Sequence, residues 1–434
     1  MGRRHLAVAA LVGTLLIAGT GQPFTVATAA PPAYFVDESK LPFDALPGTS
    51  TSRWWGVHGG AGYRIEVPAG WNGSLVLYAH GFRGTSLELT VTDPSIRSYL
   101  VTHGFAWAAS SFATNGYDVK QGVKDTHALG ELFKGVAGQP VRTYLAGHSM
   151  GGHITGVAIE QYPTTYAGAL PMCGVMGDVE LFDYFLDYNL LAQALAGWPA
   201  QVPAPANYLT EVVPVVKAAL GPFFPTMLNT NGEKLKAATE QLTGGDRPTF
   251  DVAWNVWNQT DFLFGLGVGD GTVGVAAGAV AGNAETIYQL DGDPALTPDE
   301  QALNDDVLRV EPDPQGVHPD GLANVPRIRG TIRVPVLSLH TLGDLFVPFS
   351  MEQVYARRVD ARGSSDLLVT RAIRDFGHCG FTVAEQNAAF ADLVRWVEDG
   401  LKPAGDDVLD PAAVAAASFG CTFTLTTRPY APCP

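Results

Sequence analysis

A serine between two glycines is the first residue of the chain that could do chemistry. Residues 147–151 read Gly-His-Ser-Met-Gly, after the strand-like run 141–147 and before a helix-like segment. This spacing predicts a sharp strand-to-helix turn that lifts the hydroxyl of Ser149 above the sheet, over the positive end of the helix. Ser149 is therefore a candidate nucleophile. The motif is short enough to arise by chance, and an ordinary turn serine is the alternative.

The base and the acid that a serine nucleophile requires are found near the end of the chain. His378 follows the last predicted strand, and its loop can fold back over the sheet. Asp344 closes the preceding strand-like run, 334–344, and Asp178 is the second candidate for the acid. The sequence thus predicts a triad of Ser149, His378 and Asp344. A structural histidine and a turn-forming aspartate are the alternatives.

The negative charge that develops on a substrate oxygen needs two fixed N–H donors. The backbone of Met150, directly after the nucleophile, is one predicted donor. The other is the N–H of Phe82, in the glycine-containing segment 79–84 that follows a long apolar strand. His148 and His153 flank the serine, and we expect the turn to aim both away from the reacting atoms.

Strand-like and helix-like runs alternate over residues 62–175 and again over 334–400. This alternation predicts a parallel sheet with helices on both faces, and ligands bind such sheets at the carboxyl ends of the strands. Residues 177–330 interrupt the alternation with helical and loop-rich sequence. An insertion of that length is too long for an ordinary connection, so it predicts a largely helical cap.

The first thirty residues have the layout of a secretory signal peptide, with a basic start, an apolar run and small residues at the end. The twin-arginine and general export routes both stay open. No later run reaches about 18 apolar residues, which predicts a soluble extracellular protein. The expected organisation is a signal peptide at 1–30, a hydrolase core at 31–176 and 331–402, a cap at 177–330, and a tail at 403–434 that holds a small disulfide loop.

The net charge of the chain limits the classes of molecule that it is expected to bind. The chain has 27 Lys and Arg against 43 Asp and Glu, a formal net charge of −16. Such an acidic surface disfavours nucleic acid and anionic membranes as partners. The oligomeric state is left open by the sequence.

Four cysteines in an exported protein are expected to form disulfides. Cys421 and Cys433 lie close together near the end of the chain, and we predict that they pair with each other. Cys173 is then left to pair with Cys379. Two free buried thiols are the alternative for this second pair.

Four segments in this order resemble the α/β-hydrolase superfamily: AHGFRG, GHSMGG, TLGDLFVP and GHCGF. The resemblance covers residues 62–175 and 334–400. It implies an α/β fold with a mostly parallel eight-stranded sheet and a cap, and a two-step reaction through an acyl-enzyme. Cys379 beside the histidine is similar to tannases and feruloyl esterases, in which a disulfide ties the serine and histidine loops together. This chain departs from that pattern, because His148 precedes the serine where those enzymes have a cysteine.

These residues predict a secreted serine hydrolase that cleaves carboxylic esters of small-molecule or polymer-derived substrates, without a cofactor or a metal. The acidic segment 290–300 does not fit an EF-hand, since Ala302 stands at the position of the twelfth-residue glutamate, and we interpret it as a solvated loop. Three alternatives remain: an aminoacyl or prolyl peptidase of the same fold, an extracellular polyester depolymerase, and a binding protein without activity. The peptidase remains an alternative because carboxylates in the cap could bind the free α-amine of a peptide substrate.

Overall fold

A mostly parallel eight-stranded sheet forms the centre of the molecule. The computed structural model describes residues 33–266, 279–314 and 325–434, so the predicted signal peptide and two stretches of the predicted cap lie outside the described residues. The strands, in chain order, are β1 (Phe35–Val36), β2 (Thr51–His58), β3 (Ala61–Pro68), β4 (Ser74–Ala79), β5 (Glu88–Leu89), β6 (Ala106–Ser110), β7 (Arg142–His148), β8 (Gly168–Met172), β9 (Val336–Thr341) and β10 (Leu368–Ile373).

The main sheet has the order β10-β9-β8-β7-β4-β6-β3-β2, while β1 and β5 form a separate parallel pair. The pairs that β3 forms with β2 and with β6 are antiparallel, and the other pairs of this sheet are parallel. This is the α/β-hydrolase fold, as the resemblance implies. The alternation of strand-like and helix-like runs did not predict β2. This strand lies at the edge of the sheet, and its residues are exposed or only half-buried.

Helices cover both faces of the sheet and fill the long insertion. They are α1 (Arg97–Thr102), α2 (Val119–Ala137), α3 (Met150–Gln161), α4 (Glu180–Leu195), α5 (Val213–Leu220), α6 (Thr230–Leu242), α7 (Phe250–Trp257), α8 (Phe262–Leu266), α9 (Pro298–Asp306), α10 (Ser350–Ala361), α11 (Val383–Asp399) and α12 (Pro411–Ala415). Single turns of other helix types lie at Glu38–Lys40, Tyr208–Val212 and Ser365–Leu367.

The two faces of the sheet bury different helices because successive side chains of a strand point to opposite sides. Leu75 and Leu77 of β4 pack with α2, α3 and α10, whereas Val76 and Tyr78 pack with α1 and α11. All six residues of β4 are consequently buried, as expected for a parallel strand covered on both sides.

The insertion between β8 and β9 contributes α4 to α9 and has a hydrophobic core of its own. That core extends onto the main body of the protein, because Leu345 and Val347, in the loop after β9, belong to the same buried cluster. Residues 34–434 form one compact unit. Within the described residues, the structure contains no helix that is both long and apolar enough to cross a membrane.

The acidic segment of the insertion is organised as a turn and a helix cap. Asp291 and Asp293 each accept a backbone N–H two residues ahead. Glu300 and Thr297 form a reciprocal capping box at the start of α9. Ordinary turn and capping roles therefore account for these acids.

Candidate active site

Ser149 lies at the turn between β7 and α3, in a backbone conformation that is rare for residues other than glycine. Its φ is 58° and its ψ is −121°. The turn packs closely on the neighbouring strand, since a Cβ atom at Gly151 would come within 2.1 Å of the Ala79 carbonyl oxygen. Strain of this kind costs on the order of 1–3 kcal/mol and persists mainly at functional sites. The geometry is that of the strand-to-helix turn that the sequence predicts.

His378 and Asp344 form a hydrogen-bonded pair at the same edge of the sheet. His378 Nδ1 lies 2.5 Å from Asp344 Oδ2. Asp344 is fully buried, and its Oδ1 accepts the backbone N–H groups of Phe346 and Val347 at 2.9 and 3.0 Å. The carboxylate therefore cannot rotate freely, and it holds the imidazole with Nε2 available to accept a proton.

Ser149 shares a cavity with Phe346, which contacts His378, and is not itself hydrogen-bonded to the pair. Among the hydrogen bonds of the described residues, none joins Ser149 Oγ to His378, and His378 Nε2 lies 3.6 Å from Cys379 Sγ. The ring of Phe346 packs edge-on against His378 at 5.1 Å and also lines the cavity that Ser149 faces. Catalytic hydrogen bonds are often long before substrate binds.

The two expected disulfides are confirmed. Cys173 pairs with Cys379, and Cys421 pairs with Cys433. Cys173 directly follows β8, whose last residue, Met172, accepts the Ser149 backbone N–H at 3.0 Å. The first disulfide therefore ties the histidine loop to the strand beside the serine. The atoms of Cys173, Cys379 and His378 are close enough to suggest a metal site, but both sulfurs are already bonded to each other.

The predicted oxyanion donors flank Ser149 with free N–H groups. Within the described residues, neither the Met150 nor the Phe82 backbone N–H has a hydrogen-bond acceptor. Gly81 lies against the serine, since a Cβ atom there would be 3.1 Å from Ser149 Cβ. His80 Nδ1 lies 2.7 Å from the Gly81 carbonyl oxygen, and burial lowers the pKa of His80 to about 4, so the ring is neutral.

The histidines beside the serine are engaged elsewhere. His148 lies between the Tyr78 hydroxyl and the Gln386 side chain, at 3.1 and 3.2 Å, and burial lowers its pKa to about 4. His153 lies 2.9 Å from the Tyr117 hydroxyl and 2.6 Å from the Pro326 carbonyl oxygen. Both are therefore positioned as structural residues.

Asp178, the second candidate for the acid, binds Arg358 rather than His378. Its Oδ2 is 2.5 Å from an Arg358 guanidinium nitrogen and accepts the Ile328 backbone N–H at 2.8 Å. It thus fastens the end of the insertion to α10. The structure brings Asp344 to His378 instead.

Trp257, which the sequence interpretation did not single out, connects the insertion to both loops of the pair. Its indole N–H points at the carbonyl oxygens of Gly343 and Phe376, at 3.1 and 2.8 Å. These residues precede Asp344 and His378 closely in the chain. A tryptophan on an amphipathic helix gives no signal in the sequence that separates this role from ordinary core packing.

Ser149 opens into a cavity of about 540 Å³ between the main body and the insertion. Its wall contains six aromatic and four aliphatic residues, and the other six are polar residues or glycine. The lining residues are Tyr34, Phe82, Thr85, Thr114, Asn115, Gly116, Tyr117, Asp118, Ser149, Val175, Leu181, Phe182, Phe185, Leu266, Phe346 and Val347. The volume falls in the range of small-molecule sites, roughly 300–1,000 Å³.

One curated relative is similar over most of the chain. The o-phthalyl amidase of Xanthobacter agilis is 23% identical over 428 residues, which cover 83% of this chain and 90% of that protein. No family model matches the chain.

Solved structures with a similar course of the chain include two from Aspergillus oryzae. Feruloyl esterase B has a TM-score of 0.47 and 13% identity, covering 87% of this chain and 86% of its own. An esterase from the same organism has a TM-score of 0.45 and 12% identity, covering 81% of each chain.

Proposed function

We propose that this protein is an exported serine hydrolase that cleaves carboxylic esters, with Ser149 as nucleophile, His378 as base and Asp344 as the orienting acid. The observation that carries the proposal is the 2.5 Å contact between His378 and the buried Asp344, together with a serine at a strained strand-to-helix turn. A turn serine without a catalytic role would need neither the strain nor a histidine held in one orientation.

The reaction follows from these positions. His378 Nε2 takes the hydroxyl proton of Ser149 while Oγ attacks the ester carbonyl carbon. The N–H groups of Met150 and Phe82 stabilise the oxyanion of the tetrahedral intermediate. His378 then gives the proton to the departing alkoxide, which leaves as the alcohol, and Ser149 holds the acyl group.

Hydrolysis of the acyl-enzyme repeats the same steps with water. His378 removes a proton from water, the hydroxide attacks the acyl carbon, and the proton returns to Ser149 Oγ as the carboxylic acid departs. Asp344 stabilises the charged imidazole in both halves of the reaction. No step in this scheme needs a cofactor.

Export is part of the proposal because two lines of support agree. The first thirty residues have the composition of a signal peptide. The described residues contain two disulfides and no free cysteine, which suits an oxidising compartment.

Amide hydrolysis is the second candidate, favoured by the relative that is named an amidase. The same nucleophile, base and oxyanion donors can cleave an amide, provided that His378 protonates the leaving nitrogen. The aminoacyl-peptidase version is less well supported. The acids Asp183 and Asp187 of α4 line a different cavity, and among the described residues Asp118 is the carboxylate that lines the cavity beside Ser149.

A matched panel tests the proposal. Mature protein and its Ser149→Ala variant are assayed with p-nitrophenyl esters of rising acyl length, with the corresponding p-nitroanilides, and with aminoacyl p-nitroanilides. Ester turnover that disappears in the variant supports the esterase. Anilide turnover without ester turnover moves the protein to the amidases or peptidases, and equal rates in both proteins would mean that Ser149 is not the nucleophile.

A further inference from the structure

Six of the sixteen described residues that line the cavity beside Ser149 are aromatic. We propose that it binds an uncharged aromatic acyl group, so that the preferred substrates are esters of neutral aromatic carboxylic acids. This inference rests on the proposed function, since it names the acyl group that Ser149 would receive. Ring geometry and charge support it separately.

The rings of the wall pack against one another both edge-on and nearly parallel. Phe182 meets Tyr117 edge-on at 5.0 Å and Phe185 edge-on at 6.0 Å. Phe185 and Phe346 lie nearly parallel, with centroids 6.0 Å apart and planes 12° from each other. Aromatic pairs prefer offset-stacked and edge-to-face arrangements, and each pair contributes about 0.5–1.5 kcal/mol beyond simple burial. An aromatic guest gains these contacts, whereas a saturated ring of similar shape gains only burial.

Several rings of the wall are held in place by contacts outside the cavity, so the cavity is suited to a flat and rigid ligand. Phe185 is buried and belongs to the hydrophobic core of the insertion. Tyr117 is held by the contact of its hydroxyl with His153, and Phe346 by its own backbone N–H, which donates to Asp344. Because these rings do not have to be ordered when a ligand binds, little affinity is lost to conformational entropy.

The charges of the cavity select against an anionic ring. None of the described lining residues is a lysine, arginine or histidine, and Asp118 contributes a carboxylate. Arg83, next to Phe82, donates to Thr90 instead. A carboxylate on the acyl ring would therefore lose its hydration without gaining a cationic partner among the described residues of the lining.

Three p-nitrophenyl esters with the same leaving group test the inference: benzoate, cyclohexanecarboxylate and 4-carboxybenzoate. Each kcat/KM is divided by the rate constant for alkaline hydrolysis of the same ester, which removes intrinsic reactivity. We expect benzoate to exceed cyclohexanecarboxylate by about two- to tenfold. We expect benzoate to exceed 4-carboxybenzoate by at least about tenfold.

Matched variants locate the preference in the cavity. Phe182→Leu should bring the benzoate-to-cyclohexanecarboxylate ratio close to one, whereas Phe223→Leu, an exposed position on the insertion that does not line the cavity, should leave it unchanged. Asp118→Asn keeps the side-chain size and the capability to cap α2, and it should raise relative turnover of 4-carboxybenzoate severalfold.

Two results overturn the inference while leaving the proposed function intact. One is a wild-type protein that hydrolyses cyclohexanecarboxylate as well as benzoate, and the other is one that hydrolyses 4-carboxybenzoate as well as benzoate. If all three esters and p-nitrophenyl acetate are cleaved no faster than by Ser149→Ala, the proposed function fails and the inference fails with it.

Discussion

Cys173 and Cys379 are joined across the site, with Cα atoms 5.2 Å apart and a sequence separation of 206 positions. One follows the strand next to the serine strand, and the other follows His378 directly. The bond therefore limits how far the imidazole can move relative to Ser149. Since the serine and histidine are not yet hydrogen-bonded in the structure, this limit is expected to matter for the rate.

Removal of this disulfide tests that role. The double variant Cys173→Ser with Cys379→Ser is expected to lose about 10- to 100-fold in kcat, because small misplacements of a catalytic group cost that much. KM should change less than kcat, since neither cysteine lines the cavity. Steady-state kinetics with a p-nitrophenyl ester give both values.

The matched control removes the other disulfide. Cys421→Ser with Cys433→Ser should lower the thermal midpoint while kcat stays within a few-fold of wild type, because Cys379 and Asp344 still hold the histidine loop. Equal losses of kcat in the two double variants would show that the first disulfide only stabilises the fold.

Asp344 and Asp178 should behave differently when each is changed to asparagine. Asp344→Asn is expected to lower kcat by about 10⁴-fold, because an amide cannot hold the imidazole in the required tautomer and orientation. Asp178→Asn should leave most of the activity and lower stability, since Arg358 loses a buried charged partner. Initial rates measure the activity of both variants, and urea unfolding measures their stability. A dead Asp178→Asn and an active Asp344→Asn would reverse the assignment.

Trp257 is expected to act as a positioning residue. Trp257→Phe removes the N–H that faces the Gly343 and Phe376 carbonyl oxygens, and we expect about a tenfold loss of kcat with a smaller change in KM. Trp254→Phe is the matched control on the same helix, where the indole N–H lies 3.2 Å from the Pro225 carbonyl oxygen within the insertion.

Both tryptophan variants should lose stability by roughly 1–3 kcal/mol, because each leaves a buried carbonyl oxygen without its donor. Only Trp257→Phe should slow catalysis. If Trp254→Phe slows the reaction as much, the effect of Trp257 is explained by loss of stability in the insertion.

Asp187, in the core of the insertion, should make stability depend on pH. Burial raises its pKa to about 8, from 3.8. The folded protein thus keeps a proton that the unfolded chain releases above about pH 4, so the contribution of this group falls as pH rises from about 4 to about 8. Asn at this position has no proton to lose.

The measurement is the difference in unfolding free energy between Asp187→Asn and wild type at several pH values. This difference should increase with pH by up to about 1.4 kcal/mol per unit and level off above about pH 8. Asp293→Asn, the same change of side chain in an exposed turn, is measured in parallel as the control for the substitution itself. Parallel curves for Asp187→Asn and wild type would contradict the assigned protonation.

The sequence located the sheet edge because each candidate residue follows a recognisable strand. Ser149, Asp344 and His378 lie after β7, β9 and β10, whereas the pairing of Cys173 with Cys379 is predicted by elimination, once Cys421 and Cys433 are paired. Periodicity could not find β2, since an edge strand with exposed residues lacks the apolar run of a buried one.

The residues that line the cavity could not be predicted from the sequence either. Phe182 and Phe346 lie 164 positions apart, and nothing in their local sequence separates a ligand-facing ring from a core ring. Their shared position depends on how the insertion packs over the main body, which is set by many long-range contacts. The same holds for Trp257, whose two carbonyl partners lie on different loops.

Covalent labelling tests the central assignment most directly. The mature protein is treated with an alkyl fluorophosphonate, and the modified residue is identified by peptide mass mapping, with Ser149→Ala and Asp344→Asn treated in parallel. We predict one adduct on Ser149, none in Ser149→Ala, and much slower labelling in Asp344→Asn. An adduct on another residue, or an unlabelled wild-type protein that still hydrolyses esters, would contradict the assignment of Ser149 as the nucleophile.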